Sequence, residues 1–285
     1  MKDKKKFRYI KPNLFDKLSC KLKDPKISVI VASFNYANFI TATLDSIVNQ
    51  SYKNFEVIIV DDGSTDGSLE IIKKYTKKFD NVFLYTHENY QNRGLPETIK
   101  LGISKSRGEY IAFCESDDFW DTLYLKKKIE VINSYRKVAI ISNDVTLIGS
   151  AHAIVNQMFF LRNYFDSNIK KIKFAQMQRI NYIPTFSCAM VKKSVLEKCN
   201  FDTPINAWLD FWLWNQIVPK HRMFYLRERL VYWRICHNSL SNHTNMELYN
   251  KRKKIWNDHL EKMNVVLAKK LFGKRYKGLK QTLDS

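Results

Sequence analysis

Apolar residues along this chain fall in blocks whose period switches between two and about 3.6. Ile27 to Ala32 is a β-branched run with the length of a buried strand. Phe55–Val60, Val82–Tyr85, Tyr110–Cys114 and Val138–Ile141 repeat that signal. Segments with helical spacing lie between them. Ile40, Leu44, Ile47 and Val48 share one helical face, Leu69 and Ile72 open a second, Lys-rich helix, and Leu95–Ser104 and Leu123–Ser134 supply two more. Alternating strands and helices with short connections predict an α/β domain on a Rossmann-like, mostly parallel sheet flanked by helices.

The pattern is less regular past residue 145. Residues 150–182 are polar and aromatic and are expected to form a helix or lid, Ile183–Val191 a strand, Lys193–Cys199 a short helix, and Phe224–Ile235 a strand pair or extended segment. In the last segment Trp256, Leu260, Met263, Leu267 and Leu271 mark one helical face, with lysines elsewhere, so a basic amphipathic C-terminal helical extension is expected. The resulting division is a basic N-terminal arm (1–26), two halves of one domain (27–145 and 146–245) and the extension (246–285).

Composition changes the picture at the ends. The net charge is +20, but residues 1–26 contribute +7 and residues 251–285 contribute +8, leaving +5 for the domain between. An anionic membrane surface is one partner such ends would suit; a Lys-rich solvated surface with the last helix packed on the domain is the other reading. Cys20, Cys114, Cys188, Cys199 and Cys236 form no CxxC pair and no zinc spacing, which suits a reducing compartment. No apolar run approaches 18 residues. The expected location is cytoplasmic, with attachment to the inner face of the membrane as an option.

Candidate chemistry sits where predicted strands end. In an open α/β sheet, ligands bind at the C-terminal strand edges, and three loops lie there: 33–39, 61–68 and 115–121. The last begins Glu115-Ser116-Asp117-Asp118. Carboxylates crowded at one edge repel unless a cation neutralises them. Oxygen ligands without His or Cys suit Mg²⁺ or Mn²⁺, ions that take one or two protein carboxylates plus a substrate's phosphates. No GxGxxG or GxxxxGK[ST] is present, so a glycine cradle for phosphate is not expected.

In this order the pieces resemble the inverting, nucleotide-sugar-dependent family-2 glycosyltransferases of the GT-A fold. The resemblance covers roughly residues 26–240 and rests on Val29–Asn35, Gln50-Ser51-Tyr52, Glu56–Asp66, Arg107–Phe113 and Glu115–Asp118. It implies a nucleoside-diphosphate-sugar donor, with UDP as the expected nucleotide, and a glycan or lipid-linked acceptor in surface polysaccharide or lipopolysaccharide synthesis. It also implies that Ala32, Phe34 and Asp62 meet the base and ribose, with Asp61 supporting their loop. Arg93 is a candidate cation beside the nucleotide. Asp118 is implied as the direct metal ligand, Asp117 as a ligand to metal or ribose, and Glu115, standing where aspartate is usual, as a ligand or water-bridged neighbour. Asp210 stands where the family carries its base, with Leu209 in place of a second acid; Trp208, Trp212 and Trp214 would wall it and offer a sugar a stacking surface. Arg234 and His237 fall in a late segment that closes over the diphosphate. Two other classes stand beside this one: a metal-dependent nucleotidyltransferase, and a basic nucleic-acid-binding α/β protein. The terminal position of the charge and the acidic loops argue against nucleic acid as a partner.

Overall fold

A computed structural model of the chain describes residues 26–149, 169–179, 182–203, 209–235 and Lys254. Its strands, in chain order, are β1 (Ile27–Ser33), β2 (Phe55–Asp61), β3 (Val82–Thr86), β4 (Tyr110–Phe113), β5 (Phe119–Trp120), β6 (Val138–Gly149), β7 (Ile169–Ile172), β8 (Met190–Lys192) and β9 (Arg222–Ile235). The helices are α1 (Ile40–Val48), α2 (Ser68–Lys78), α3 (Leu95–Lys105), α4 (Tyr124–Ser134), α5 (Phe174–Arg179), α6 (Lys193–Leu196) and α7 (Leu209–Ile217).

All nine strands join one sheet, in the order β3-β2-β1-β4-β8-β6-β9-β5, with β7 on β9. The first four strands pair in parallel, and so does the long β6–β9 pair; β8, β5 and β7 pair antiparallel to their neighbours. Parallel strands buried on both faces read as continuous apolar runs. Accordingly β2 and β4 are buried at every position.

The motif segments meet at the N-terminal ends of the parallel strands. Glu56, 2% exposed, accepts from Ser28 Oγ at 2.7 Å and from Arg107 N and Nε at 2.7 and 2.9 Å. A buried carboxylate is tolerated only with such partners. Gly108 N donates to Ser28 Oγ, and a Cβ at Gly108 would strike the Ile27–Ser28 backbone. The Arg107-Gly108 pair is thus an architectural joint between β1, β2 and β4.

Four expectations change. Ile183–Val191 is not one strand. A single 3-10 turn at Phe186–Cys188 precedes the short β8, because Pro184 carries no N–H and Thr185 Oγ1 accepts from Ser187 N. The described part of 150–182 is strand and helix (β7 and α5); the adjacent Lys170 and Lys171 hid a short antiparallel edge strand. β6 runs twelve residues rather than four, because it pairs with β9 along its length, past the apolar run that marked its start. Phe224–Ile235 belongs to one strand of fourteen residues starting at Arg222. Apart from Lys26 and Lys254, the N-terminal arm and the C-terminal extension lie outside the described residues. No helix among the described residues is long and apolar enough to cross a membrane.

Candidate active site

The C-terminal ends of β1, β2 and β4 bring two acidic loops to one edge. The loop after β2 is stitched to the loop after β1. Asn35, in left-handed conformation at φ 59°, donates its N–H to Ser64 Oγ, and its side-chain oxygen accepts from Thr65 N. Tyr36 N donates to Ser68 Oγ and Ala37 N to Asp66 Oδ2. Asp61 accepts from Ser64 N and Oγ at 2.9 and 2.6 Å. It therefore holds the turn, as expected. Asp62 is 4% exposed, and its two oxygens accept from Arg93 N at 2.7 Å and Gly94 N at 2.9 Å. Gly63, at φ +84°, lies so close to the Tyr90 carbonyl that a Cβ would not fit. Asp62 and Gly63 thereby clamp the 87–94 loop against the end of β2.

Arg93 enters this clamp through its backbone N–H, while its side chain is exposed. Phe34 is 43% exposed above the same loops, too open to be core packing. Ala32 is partly buried, and its carbonyl accepts from Ser116 Oγ at 2.7 Å, which ties the second acidic loop to β1.

That second loop is crowded. Thr43 of α1 fixes its backbone by donating to the Ser116 and Asp118 carbonyls. Asp118, 1% exposed, accepts from Ser187 Oγ at 2.6 Å on one oxygen and from Arg234 N at 2.9 Å on the other. Glu115 accepts from Thr185 Oγ1, and its N–H donates to Ser187 Oγ. Arg234 Nε donates to the Asp117 carbonyl at 3.0 Å, and its guanidinium lies 4.7 Å over the Phe39 ring. Asp210, in the first turn of α7, is near enough for its charge to act on Glu115. Glu115, Asp117, Asp118 and Asp210 therefore share one region.

Burial and mutual repulsion leave these groups reluctant to ionise. Burial pushes Asp210 up to about 6 and Asp117 up to about 6. For Asp118, burial and the Asp117 charge outweigh its donors and push it up to about 8. Burial and the charges of Asp118 and Asp117 raise Glu115. Carboxyls in this state take up protons or a cation. The donor set fits a hard divalent ion, since it is all oxygen and, among the described residues, no side chain donates to Asp117. Among the described residues no group of three or more His, Cys, Asp or Glu side chains encloses a metal position, so such an ion would need oxygens from a ligand.

Some expected groups go elsewhere. Trp212 is buried and donates Nε1 to the Asn200 carbonyl. Trp214 is wholly buried against Phe113 and Phe186. Both serve the core under α7 and offer no face to a sugar. Trp208 and His237 lie outside the described residues.

Three residues that sequence patterns missed support the acids. Thr185 and Ser187 reach them from a turn some seventy residues later. Lys128, wholly buried in α4, donates Nζ to the carbonyls of Cys188 at 2.5 Å and Ile141 at 3.2 Å, and lies 4.4 Å over the Tyr124 ring. Burial lowers it to about 7. It braces the turn that carries Ser187. A lysine on the apolar face of the Leu123–Ser134 helix was the available signal.

Known proteins resemble this chain in sequence and in fold. The model of glycosyl transferase family 2 matches residues 28–199. Glycosyltransferase GlyA of Streptococcus pneumoniae is 30% identical over 232 residues, which span 77% of this chain and 32% of that one. This chain thus spans about a third of that relative's length. In structure the chain resembles S. aureus TarS in complex with UDP-GlcNAc, at TM-score 0.62 and 21% identity, over 75% of this chain and 60% of that one. It also resembles a mannosyltransferase of Pyrobaculum calidifontis in complex with GDP-Man and Mn²⁺, at TM-score 0.54 and 18% identity, over 78% and 60% of the two chains. These likenesses are of fold, here the GT-A type. Matched over more than half its length by the family's own model, the chain belongs to glycosyl transferase family 2.

Proposed function

We propose that this chain transfers a hexosyl or N-acetylhexosaminyl group from a nucleoside-diphosphate sugar, with UDP as the nucleotide, to a hydroxyl of a glycan or lipid-linked acceptor. The observation that carries this reading is the crowding of Glu115, Asp117, Asp118 and Asp210 at one sheet edge, with carboxyls held above their usual range. The UDP-GlcNAc complex of TarS and the GDP-Man and Mn²⁺ complex of the mannosyltransferase support the donor class.

In this reading the residues divide their work. Phe34 presents its exposed ring to the base. Asp61 and Asp62 fix the loops beneath the nucleotide; each Asp62 oxygen keeps a second lone pair for a base N–H. Asp117, with Glu115 behind it, would hold Mg²⁺ or Mn²⁺, which supplies positive charge to the departing diphosphate. Asp118 would join Asp117 on the ion through the second lone pair of its oxygens, while its bonds to Ser187 Oγ and Arg234 N orient it. It ties Arg234 to the same region, where the guanidinium adds a second positive charge for the leaving group. Asp210 takes the proton of the acceptor hydroxyl, which attacks the anomeric carbon from the face opposite the diphosphate and inverts it. Its raised pKa suits a base that works near neutral pH. Residues 27–145 serve the donor, and 146–245 the acceptor.

A panel of nucleotide sugars, each with Mg²⁺, Mn²⁺ or EDTA, tests the reading. The expected product is a nucleoside diphosphate, formed only with the ion. Release of pyrophosphate would replace the reading with nucleotidyl transfer, and no turnover or thermal stabilisation with any donor would remove it.

A further inference from the structure

The end of the sheet away from these acids carries the opposite charge. β6 and β9 start together, with Val138 paired to Arg222. Arg234, which meets Asp118, lies twelve residues further along β9. At ~3.3 Å per residue the two ends are separated by on the order of 40 Å. At the first end a cavity of about 410 Å³ is lined by Lys137, Lys171, Lys173, Lys220, His221 and Arg222. Ile172 and Val218 form part of an apolar wall.

Three separate segments build this cavity. Lys137 sits in the turn before β6 with φ 59°, a conformation that costs a non-glycine residue energy. β7 lies antiparallel on β9 with Lys171 opposite Phe224, and Lys173 follows at its end. The turn after α7 brings Lys220 and His221, whose N–H groups both donate to the Ile217 carbonyl. Arg222 is oriented by Nη1 donating to the Arg136 carbonyl at 3.1 Å. None of the ion pairs formed among the described residues uses these five permanent cations. Five like charges around one cavity repel one another, and a compact dianion would relieve all of them together.

We propose that this cavity binds a phosphate-bearing ligand: the cations take the phosphate, and the Ile172–Val218 wall takes the carbon of its ester. An anionic lipid headgroup and a soluble phosphate share that chemistry. The site is independent of the transfer reaction proposed above.

The full chain is titrated calorimetrically with pyrophosphate in EDTA, which silences metal-dependent binding at the acidic edge. It is also sedimented with phosphatidylcholine vesicles with and without phosphatidylglycerol, and Lys171→Glu/Lys173→Glu is compared with Lys73→Glu/Lys74→Glu. The second pair makes the same change of charge on exposed positions of α2. The expected result is an affinity at least about tenfold weaker in the cavity variant alone. Loss confined to vesicles assigns a lipid headgroup, and loss of pyrophosphate binding assigns a soluble phosphate. Equal weakening in both variants, or no binding by the unmodified protein, overturns the proposal. Donor turnover measured alongside separates its failure from failure of the glycosyltransferase reading.

Discussion

The two acidic loops at the sheet edge hold three carboxylates each and have opposite characters. In the loop after β2 every acid has backbone or hydroxyl donors: Asp61 from Ser64, Asp62 from Arg93 and Gly94, Asp66 from Ala37 and Ser68. Burial acts to raise Asp66, but the Ser68 and Ala37 donors win and hold it below the usual carboxylate range. In the loop after β4, donors converge on Asp118, a single hydroxyl reaches the Glu115 carboxylate, and burial wins. Counting acids does not distinguish a structural turn from a cation site. Counting the donors already committed to them does.

The sharpest way to break this contrast is Asp210→Asn. Turnover should fall by about 10³-fold with donor binding retained, within the range for loss of a general base. Turnover within tenfold of the parent would take Asp210 out of that role. Next comes Asp117→Asn, expected to lower turnover about 10²-fold and to abolish the metal dependence of donor binding in calorimetry. Asp66→Asn should leave that dependence intact; if both variants lose it equally, the two loops do not differ as described.

Lys128→Met tests the brace behind the second loop. It removes the donor that the buried Cys188 and Ile141 carbonyls share and should cost about 2 kcal/mol in urea unfolding. An unchanged midpoint would show that Ser187 needs no such support.

The smallest effect concerns pH, and the two loops should respond with opposite sign. Asp117, Asp118 and Asp210 have folded pKa values raised above the unfolded range. Their contribution to stability is therefore full below about pH 4 and is lost as pH rises through about 6 to 8. Asp66, lowered on folding, contributes above its unfolded pKa and loses that contribution in acid. In EDTA, melting temperature should decline from pH 5 to 8 relative to a Mg²⁺ sample. Parallel curves with and without the ion would contradict this.

The first half of the fold was legible because its code is local. Runs such as Ile27–Ala32 and Phe55–Val60 are long, β-branched and buried on both faces, and the helices between them keep strict spacing. The second half was not. Lys170 and Lys171 hide an edge strand, β6 is interrupted by the polar Ser142, Asn143 and Asp144, and β5 has only two residues. Such elements exist because β9 offers them a partner, and a partner is not visible in a window of sequence. The tryptophans near Asp210 misled for a similar reason: an aromatic suits a sugar face and a core equally, and Trp212 and Trp214 belong to the core.

Sequence alone determined the order of strands and helices as far as β4 and which strand ends carry acids, since both follow from residue type and period within a dozen positions. Tertiary structure decided what each acid is free to do. Asp118 meets Ser187 Oγ and Arg234 N, groups 69 and 116 residues away, while Asp117, next to it in the chain, has no side chain bound to it among the described residues. The physical reason is that ionisation and metal affinity depend on burial and nearby donors, and those are set by segments that meet only when the chain folds.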